Sequence, residues 1–288
     1  METSITDGQK KQVKRFAEDA VDRAIAEGIL DKDGIQKLIE NGGEFQADIA
    51  ASIKKYSVSN QFTDEEVESN SVYFKSYKPK GITEQTSILR QLIPGIGFAD
   101  EKLAEQPLPP HAEGWFAIPR WQSVAKTYGE AVKKMLYLIK KQRKGKFFSW
   151  CESQLGPQYL RQHKRTAKKL KTLGHQQKGF AILVVAAQFG LNHRGRSVRR
   201  AREAFTANEF GLGAFEIGCM LLTHPERLRH YYNLWIDCAG DEYIYSDVGD
   251  FSLAPHFCFI WDGRVEFSTR RFDRAVSHYG SASGFLAE

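Results

Sequence analysis

Two short segments of this 288-residue chain combine residue types that could do chemistry. The first, 192–202, reads NHRGRSVRRAR and follows the longest apolar run of the chain, which is typical of a buried strand. A loop after such a strand, followed by a helix that begins near Ser197, offers free backbone amides and a helix dipole to an anion. Arg194, Arg196 and Ser197 are therefore predicted to bind a phosphate. The glycines form neither a Walker loop nor a GxGxxG fingerprint, so no nucleotide cofactor is implied.

The second segment, 237–242, reads DCAGDE and places three carboxylates near the end of another predicted strand. Asp237, Asp241 and Glu242 could hold a divalent cation, or they could act as an acid and a base. Acids also form turns, especially after glycine, and turn formation is the more frequent role of such residues. We keep these three, together with His193 of the first segment, as candidate catalytic residues.

A zinc site can be considered at His256 and Cys258, whose side chains share one face of a predicted strand. Cys219 and Cys238 fall in neighbouring predicted strands, but the paired close spacing of structural zinc sites is absent. Because free cysteines are usually buried, the four cysteines of the chain are predicted to be reduced core residues. No metal and no cofactor is expected. A Cys–His nucleophilic pair stays open, since such partners meet only in the fold.

The positive charge of the chain is concentrated in its middle. Between residues 120 and 202 there are 21 Lys and Arg against two acids, whereas the two flanks carry net charges of −6 and −7. Such cations neutralise phosphates and release counterions. The residues predicted to bind nucleic acid or another anion are Lys164, Arg165, Lys168, Lys169, Arg194, Arg196, Ser197, Arg199 and Arg200.

Aromatic residues are interleaved with this basic middle, namely Phe147, Phe148, Trp150 and Tyr159. Exposed rings stack on unpaired bases, so the composition suits RNA or single-stranded DNA. The alternative is that the acidic flanks neutralise the surplus charge, or that it is only solvated, and that the aromatic rings belong to the core.

Apolar periodicity predicts the elements that carry these residues. Helical spacing predicts N-terminal helices at about 13–25, 35–40 and 44–56, and two basic helices at about 127–142 and 157–173, the second opened by Pro157. Thr63 and Glu66 match a capping box. Asp262 and Gly263 suit a type I′ turn in a terminal hairpin. Strands are predicted at 181–189, 215–222, 234–238 and, in the hairpin, 257–269.

The predicted fold is α+β or α/β, with a helical N-terminal region, a basic helical middle and a C-terminal mixed sheet that ends in a β-hairpin. The expected organisation is a helical domain at 1–105, a linker and basic helical region at 106–178, and a sheet domain at 179–288. The longest apolar run, 180–187, is far shorter than the roughly 20 residues of a membrane helix. The N-terminus lacks the apolar core of a signal peptide. The sequence therefore predicts a cytoplasmic protein with no membrane partner.

Several segments together resemble a family of uncharacterised bacterial proteins that are described only as hypothetical. They are GRSVRRARE, NEFGLGAFEIG, LTHPERL and LWIDCAGDE, with NQFTDEEV and KPKGITEQT earlier in the chain. The resemblance covers most of the length. It implies no activity, cofactor or site residue, so the functional expectation depends on the residues alone.

Three functions remain open from the sequence. The leading hypothesis is a nucleic-acid-associated protein that binds RNA, or another single-stranded nucleic acid, through the basic segment. The second is an enzyme that acts on a phosphorylated or nucleic-acid substrate, with the arginines as an anion clamp and Asp237, Asp241 or Glu242 as metal or proton-transfer groups. The third is a protein-interaction or regulatory module that docks an acidic protein partner.

Overall fold

The computed structural model describes residues 5–57, 60–73, 77–246 and 249–286. The chain forms two compact units, Met1–Ser57 and Val58–Glu288, whose limit does not coincide with the expected boundaries near 105 and 178. Helices come first and most strands come last, which confirms the α+β class. In the part of the chain that is described, no helix has the length and apolar character needed to cross a membrane.

The helices are α1 (Asp7–Ala26), α2 (Lys32–Glu40), α3 (Gly42–Ser57), α4 (Ile82–Leu92), α5 (Tyr128–Gln142), α6 (Lys164–Gln176), α7 (Val198–Ala204) and α8 (Ala214–Thr223). The strands are β1 (Gly114–Pro119), β2 (Phe147–Ser149), β3 (Leu160–Gln162), β4 (Ile182–Gln188), β5 (Glu209–Gly211), β6 (Trp235–Asp237), β7 (Asp241–Tyr243), β8 (Leu253–Phe259), β9 (Val265–Arg271), β10 (Tyr279–Ser281) and β11 (Ser283–Phe285).

The first unit consists of α1, α2 and α3, so the predicted N-terminal helices are confirmed. A capping box starts α1, because the Thr6 hydroxyl accepts from the Gln9 amide while the Gln9 side chain accepts from the Thr6 amide. Gly28 follows the helix with a φ of 72°, a left-handed conformation that glycine commonly adopts just after a helix end. Neither α1 nor α2 buries a side chain.

The second unit is built around β4, whose seven residues are all buried. This strand lies inside an antiparallel sheet of order β1-β4-β11-β5, with Val184 opposite Ala117 of β1 and Ala187 opposite Gly284 of β11. The predicted burial of this strand on both faces is therefore confirmed. Its run of Ile, Leu and Val residues is typical of a strand that has no solvated face.

The predicted strand at 215–222 is wrong, because these residues lie in α8, all ten of whose residues are buried. The helix contacts α4, α5 and β1 and so has no polar side. A helix that is buried all round shows no amphipathic period, and its apolar run then resembles that of a buried strand.

The second sheet has the order β10-β6-β8-β7-β3, with β9 pairing with both β8 and β2. The predicted β8–β9 hairpin is confirmed, but its turn is not type I′. Within the loop 261–263, only Gly263 has a positive φ, of 85°. The Ile260 amide donates to the Arg264 carbonyl across these three residues. This is the pattern of a type I turn followed by a left-handed glycine.

Two further local predictions are wrong. Residues 160–162 form β3, which pairs with β7, so the second basic helix begins at Lys164 instead of Pro157. Residues Thr63–Glu65 form a single 3₁₀ turn without a side-chain cap. The Glu66 carboxylate pairs with arginines instead of the backbone, which explains why the capping box does not form.

The two sheets meet where 211–213 packs directly on 239–240, a contact that we call the glycine joint. A Cβ atom on Gly240 would lie 2.5 Å from the Gly213 nitrogen, and one on Gly211 would lie 2.5 Å from the Ala239 carbonyl carbon. The Gly240 amide donates to the Leu212 carbonyl at 2.8 Å. The joint brings Asp241, at the start of β7, next to the first turn of α8.

We predict that Gly240→Ala lowers the free energy of unfolding by about 3 kcal/mol, because the new methyl group meets rigid backbone atoms. Urea denaturation of the full chain measures the change. Gly81→Ala is the control, since its Cβ would have no neighbour within 4 Å, and alanine at this helix N-cap costs no more than about 1 kcal/mol. Equal losses in both variants would contradict the account of the glycine joint.

Candidate functional site

The segment 192–202 lies after β4, as predicted, but its cations are engaged in ion pairs. Arg199 pairs with Glu65, and Arg200 pairs with Glu203 at 2.9 Å. Arg196 Nε lies 3.3 Å from a carboxylate oxygen of Glu66, which also pairs with Arg200. Glu203, which directly follows this segment, and Glu65 and Glu66, which lie far earlier in the chain, thus neutralise most of its charge.

The remaining predicted anion ligands of this region also have protein partners. The Ser197 hydroxyl caps α7 by accepting from the Arg200 amide, and it donates to Glu65 at 2.6 Å. Arg165 donates to the Glu209 carbonyl at 2.9 Å and to that of Thr206. Arg194 differs from them because it is exposed, and its guanidinium group donates to the Ser71 carbonyl at 3.3 Å.

His193, a candidate catalytic residue, is buried in a hydrogen-bonded cluster. Its Nε2 lies 2.7 Å from Glu209 Oε1, and the Ser283 hydroxyl donates to the same oxygen at 2.6 Å. Burial alone would raise the pKa of Glu209, but the hydrogen bond and charge of His193 outweigh it and lower that pKa. Because His193 is only 2% exposed, this cluster holds β4, β5 and β11 together inside the protein.

Lysines on α6 form an exposed basic surface. Lys164, Lys168 and Lys171 are exposed, and their spacing of four and three residues places them in one row on the helix. Lys169 lies half-buried beside the row. The helix contains no acidic residue, and within the described part of the chain neither Lys164 nor Lys171 forms a salt bridge. We call the three exposed residues the lysine row.

A cleft of about 570 Å³ begins at the end of the lysine row. Lys171 and His175 of α6 line one side of it, and Trp121 lines it from the segment after β1. Gln162 and Glu216 contribute polar groups to its wall. The other lining residues are Ile118, Pro119, Arg120, Gln122, Ala167, Leu170, Gly174 and Leu183.

Glu216 and Asp241 share a buried hydrogen-bond network behind the cleft. Asp241 Oδ2 accepts from the Ala214 amide at 2.7 Å, and Asp241 Oδ1 accepts from the Tyr128 hydroxyl at 2.7 Å. Glu216 accepts from the Gly213 amide at 2.9 Å and from the Gln162 side chain at 3.2 Å. Both carboxyl groups therefore cap the start of α8, and Glu216 also reaches the cleft.

The two carboxyl groups of this network hold protons unusually tightly. Burial, and then the charge of Asp241, raises the pKa of Glu216 to about 8. Burial raises the pKa of Asp241 to about 7, although the Ala214 amide and the Tyr128 hydroxyl favour its charged form. Glu216 therefore favours its protonated form, which can donate a hydrogen bond, more strongly than an ordinary glutamate does. A carboxyl group perturbed in this way and located in a cleft is typical of functional sites.

The structure separates the three carboxylates that the sequence brought together. Asp241 joins the network with Glu216, whereas Glu242 points away and pairs with Arg161 at 2.8 Å. Asp237 is buried in the second sheet and pairs with Arg270 at 3.1 Å.

Sequence reasoning missed Tyr128, Gln162 and Glu216. One signal was present, since Glu216 is the only charged residue within the apolar run AFEIGCMLL, and a buried charge or acid requires partners.

Comparisons with known proteins assign no function to this site. No family model, no curated protein and no solved structure matches the chain. The resemblance to uncharacterised bacterial proteins stays a prediction.

We predict that Glu216→Gln weakens the pH dependence of stability between about pH 5 and pH 8. A carboxyl group whose pKa rises from 4.5 to about 8 on folding stabilises the fold most below pH 4.5, and this contribution is lost as the pH rises toward 8. The loss amounts to at most about 1.4 kcal/mol per pH unit for one proton. Urea denaturation at several pH values measures it.

The control for this experiment is Glu84→Gln, which changes an exposed glutamate in the first turn of α4. This variant should keep the pH dependence of the unchanged protein. If both variants show the same slope, Glu216 does not hold its proton as described.

Proposed function

We propose that the protein binds single-stranded nucleic acid, RNA in preference to duplex DNA, along the lysine row and into the adjoining cleft. The observation that best supports the proposal is that the lysine row leads directly into the cleft. Lys164, Lys168 and Lys171 follow one another along α6, and Lys171 itself lines the cleft.

The lysine row supplies the attraction to the phosphate backbone. Neighbouring lysines at this helical spacing lie about 6 Å apart, so one extended strand can meet them in turn. Each phosphate that is neutralised releases counterions, which makes binding favourable and sensitive to salt.

The cleft favours an unpaired base over a duplex. Its volume of about 570 Å³ falls within the range of ligand pockets. Trp121 offers an aromatic ring, while the Gln162 amide and the neutral Glu216 acid offer donors and acceptors for a base edge. A paired and stacked base cannot enter such a pocket, so a single strand is the expected ligand.

Other exposed groups of the basic middle also support the proposal. Phe148 is 37% and Trp150 is 63% exposed, and their rings meet edge to face at 4.9 Å between centroids. Lys144 and Lys146 are exposed just before them. Phe147, by contrast, belongs to the core. Exposed rings beside lysines are suited to stacking on bases.

We predict that single-stranded RNA binds with micromolar or tighter affinity and that the triple variant Lys164→Ala, Lys168→Ala, Lys171→Ala binds at least about tenfold more weakly. The slope of log affinity against log salt should become shallower by about 2, because three phosphate contacts are lost. Fluorescence anisotropy with single-stranded and duplex RNA and DNA at several salt concentrations measures both quantities.

The matched control replaces three exposed lysines of α1, Lys10, Lys11 and Lys14, by alanine, which removes the same charge elsewhere. It should bind RNA as the unchanged protein does. Absence of binding to all four nucleic acids, or equal affinities of the two triple variants, would contradict the proposal. Binding of polyglutamate without binding of RNA would favour a module that docks an acidic protein.

A second candidate function, an enzyme acting on a nucleic-acid or phosphorylated substrate, is favoured by one observation. Glu216 lines the cleft, burial and the charge of Asp241 raise its pKa to about 8, and the neighbouring Asp241 accepts a hydrogen bond from the Tyr128 hydroxyl. Such a group is suited to give a proton to a leaving oxygen and to regain it from water.

For this enzymatic function, we predict that incubation with single-stranded RNA yields cleavage products and that Glu216→Gln slows cleavage by at least about 100-fold while RNA binding persists. Gel electrophoresis of end-labelled RNA measures the rate. Intact RNA after long incubation, or equal rates in the variant, would exclude the enzyme and leave the binding proposal unaffected.

A further inference from the structure

A group of three different ligand types lies on one face of the second sheet, apart from the cleft. His256 and Cys258 alternate along β8, and Glu266 of β9 is directly opposite Cys258 in the strand register. One ligand atom from each residue lies within 4.8 Å of the other two. Side chains at alternate and at opposite positions of paired strands share a face, which explains why the three converge.

The imidazole of His256 is a second, independent indication of a metal site. The residue is only 5% exposed, and its buried Nδ1 has no hydrogen-bond partner among the residues that the structure describes. Buried polar atoms without a partner are rare in proteins, because each one loses its bonds to water and gains nothing in return. A nitrogen lone pair kept in this state is available to a metal ion.

Aromatic neighbours hold this imidazole in place. The Trp235 ring is nearly parallel to it, with an angle of 3° and 6.2 Å between centroids, and Tyr279 meets it edge to face at 5.2 Å. Cys258 is fully buried and Glu266 half-buried, so the group lies beneath the surface with one side toward solvent. A rigid, partly enclosed group of this kind has little orientation entropy left to lose on binding an ion.

We propose that His256, Cys258 and Glu266 form a Zn²⁺ site. A donor set of one nitrogen, one sulfur and one oxygen suits zinc, whereas Mg²⁺ and Ca²⁺ prefer oxygen ligands throughout. Three protein ligands leave the fourth position of a tetrahedral ion open to water, as in zinc sites that do chemistry. Binding converts the Cys258 thiol to a thiolate and releases one proton to solvent.

The zinc proposal does not depend on nucleic-acid binding, because it uses none of the cleft or lysine-row residues. The sequence favoured core cysteines here, because the paired close spacing of structural zinc sites is absent and free cysteines are usually buried. It considered Cys219 and Cys238 as the further ligands. The structure places Cys219 in α8, with its Sγ 3.4 Å from the Met135 sulfur. The missing ligand was instead Glu266, across the hairpin.

The test is a titration of chelator-treated full-length protein with Zn²⁺ by calorimetry and with Co²⁺ by absorption spectroscopy. We expect one equivalent of either ion per chain. The Co²⁺ form should show the visible bands of tetrahedral cobalt and a thiolate-to-cobalt charge-transfer band, because Cys258 is a ligand.

Two variants locate the ion. Cys258→Ser should abolish the charge-transfer band, and Glu266→Gln, a shape-conserving change at a half-buried position, should weaken binding at least about tenfold. Cys238→Ser is the control, a buried cysteine outside the group, and should keep both the stoichiometry and the band. Circular dichroism confirms that each variant is folded.

Absence of stoichiometric binding would overturn the proposal. So would a charge-transfer band that survives Cys258→Ser, or affinity that is unchanged in Glu266→Gln. If Cys258→Ser fails to fold, the Glu266→Gln titration alone decides the outcome.

Discussion

The arrangement of the second unit depends on the close backbone contact of the glycine joint. Where 211–213 meets 239–240, a side chain at Gly211 or Gly240 would overlap main-chain atoms, and the two sheets therefore approach more closely at these glycines than side chains would permit. Because of this contact, Asp241 lies next to the first turn of α8 and therefore close to Glu216. The hydrogen-bond network of Glu216 and Asp241 behind the cleft therefore depends on the close packing of backbone between the two sheets.

Charge in this unit is distributed according to side-chain type. Arginines of the 192–202 segment pair with Glu65, Glu66 and Glu203 or with backbone carbonyls, as their planar forked donors favour. Lysines of α6 remain on the surface, where a strongly hydrated ammonium group is most stable. The net positive charge of the middle of the chain therefore contains a neutralised part, which stabilises the fold, and an exposed part, which is available to a ligand.

Much of the fold could be predicted from local pattern. The helices with one apolar face, the buried strand β4 and the β8–β9 hairpin all follow from periodicity or from turn residues. The error at α8 arose because burial on every side removes the period. Its content of Ala, Leu and Met, with only two β-branched residues, Ile217 and Thr223, nevertheless favours a helix.

The candidate sites were less accessible to prediction than the fold. Tyr128, Gln162, Glu216 and Asp241 come from four elements far apart in the chain, and only tertiary packing brings them together. Likewise, Glu266 meets His256 and Cys258 only because the hairpin register places it opposite Cys258. Counts of charged residues could not predict that Arg199 and Arg200 pair with Glu65 and Glu66, more than 100 residues away, because such counts contain no information on contacts.

Photochemical cross-linking can show where a single strand contacts the protein, and hence whether it lies along the lysine row and in the cleft. A short RNA that carries 4-thiouridine would be irradiated with the full-length protein, and the cross-linked peptides would be identified by mass spectrometry. We expect cross-links to concentrate at 119–122, which lines the cleft, and at 164–176, which carries the lysine row and also lines the cleft. Cross-links confined to 192–202, or to no defined segment, would contradict it.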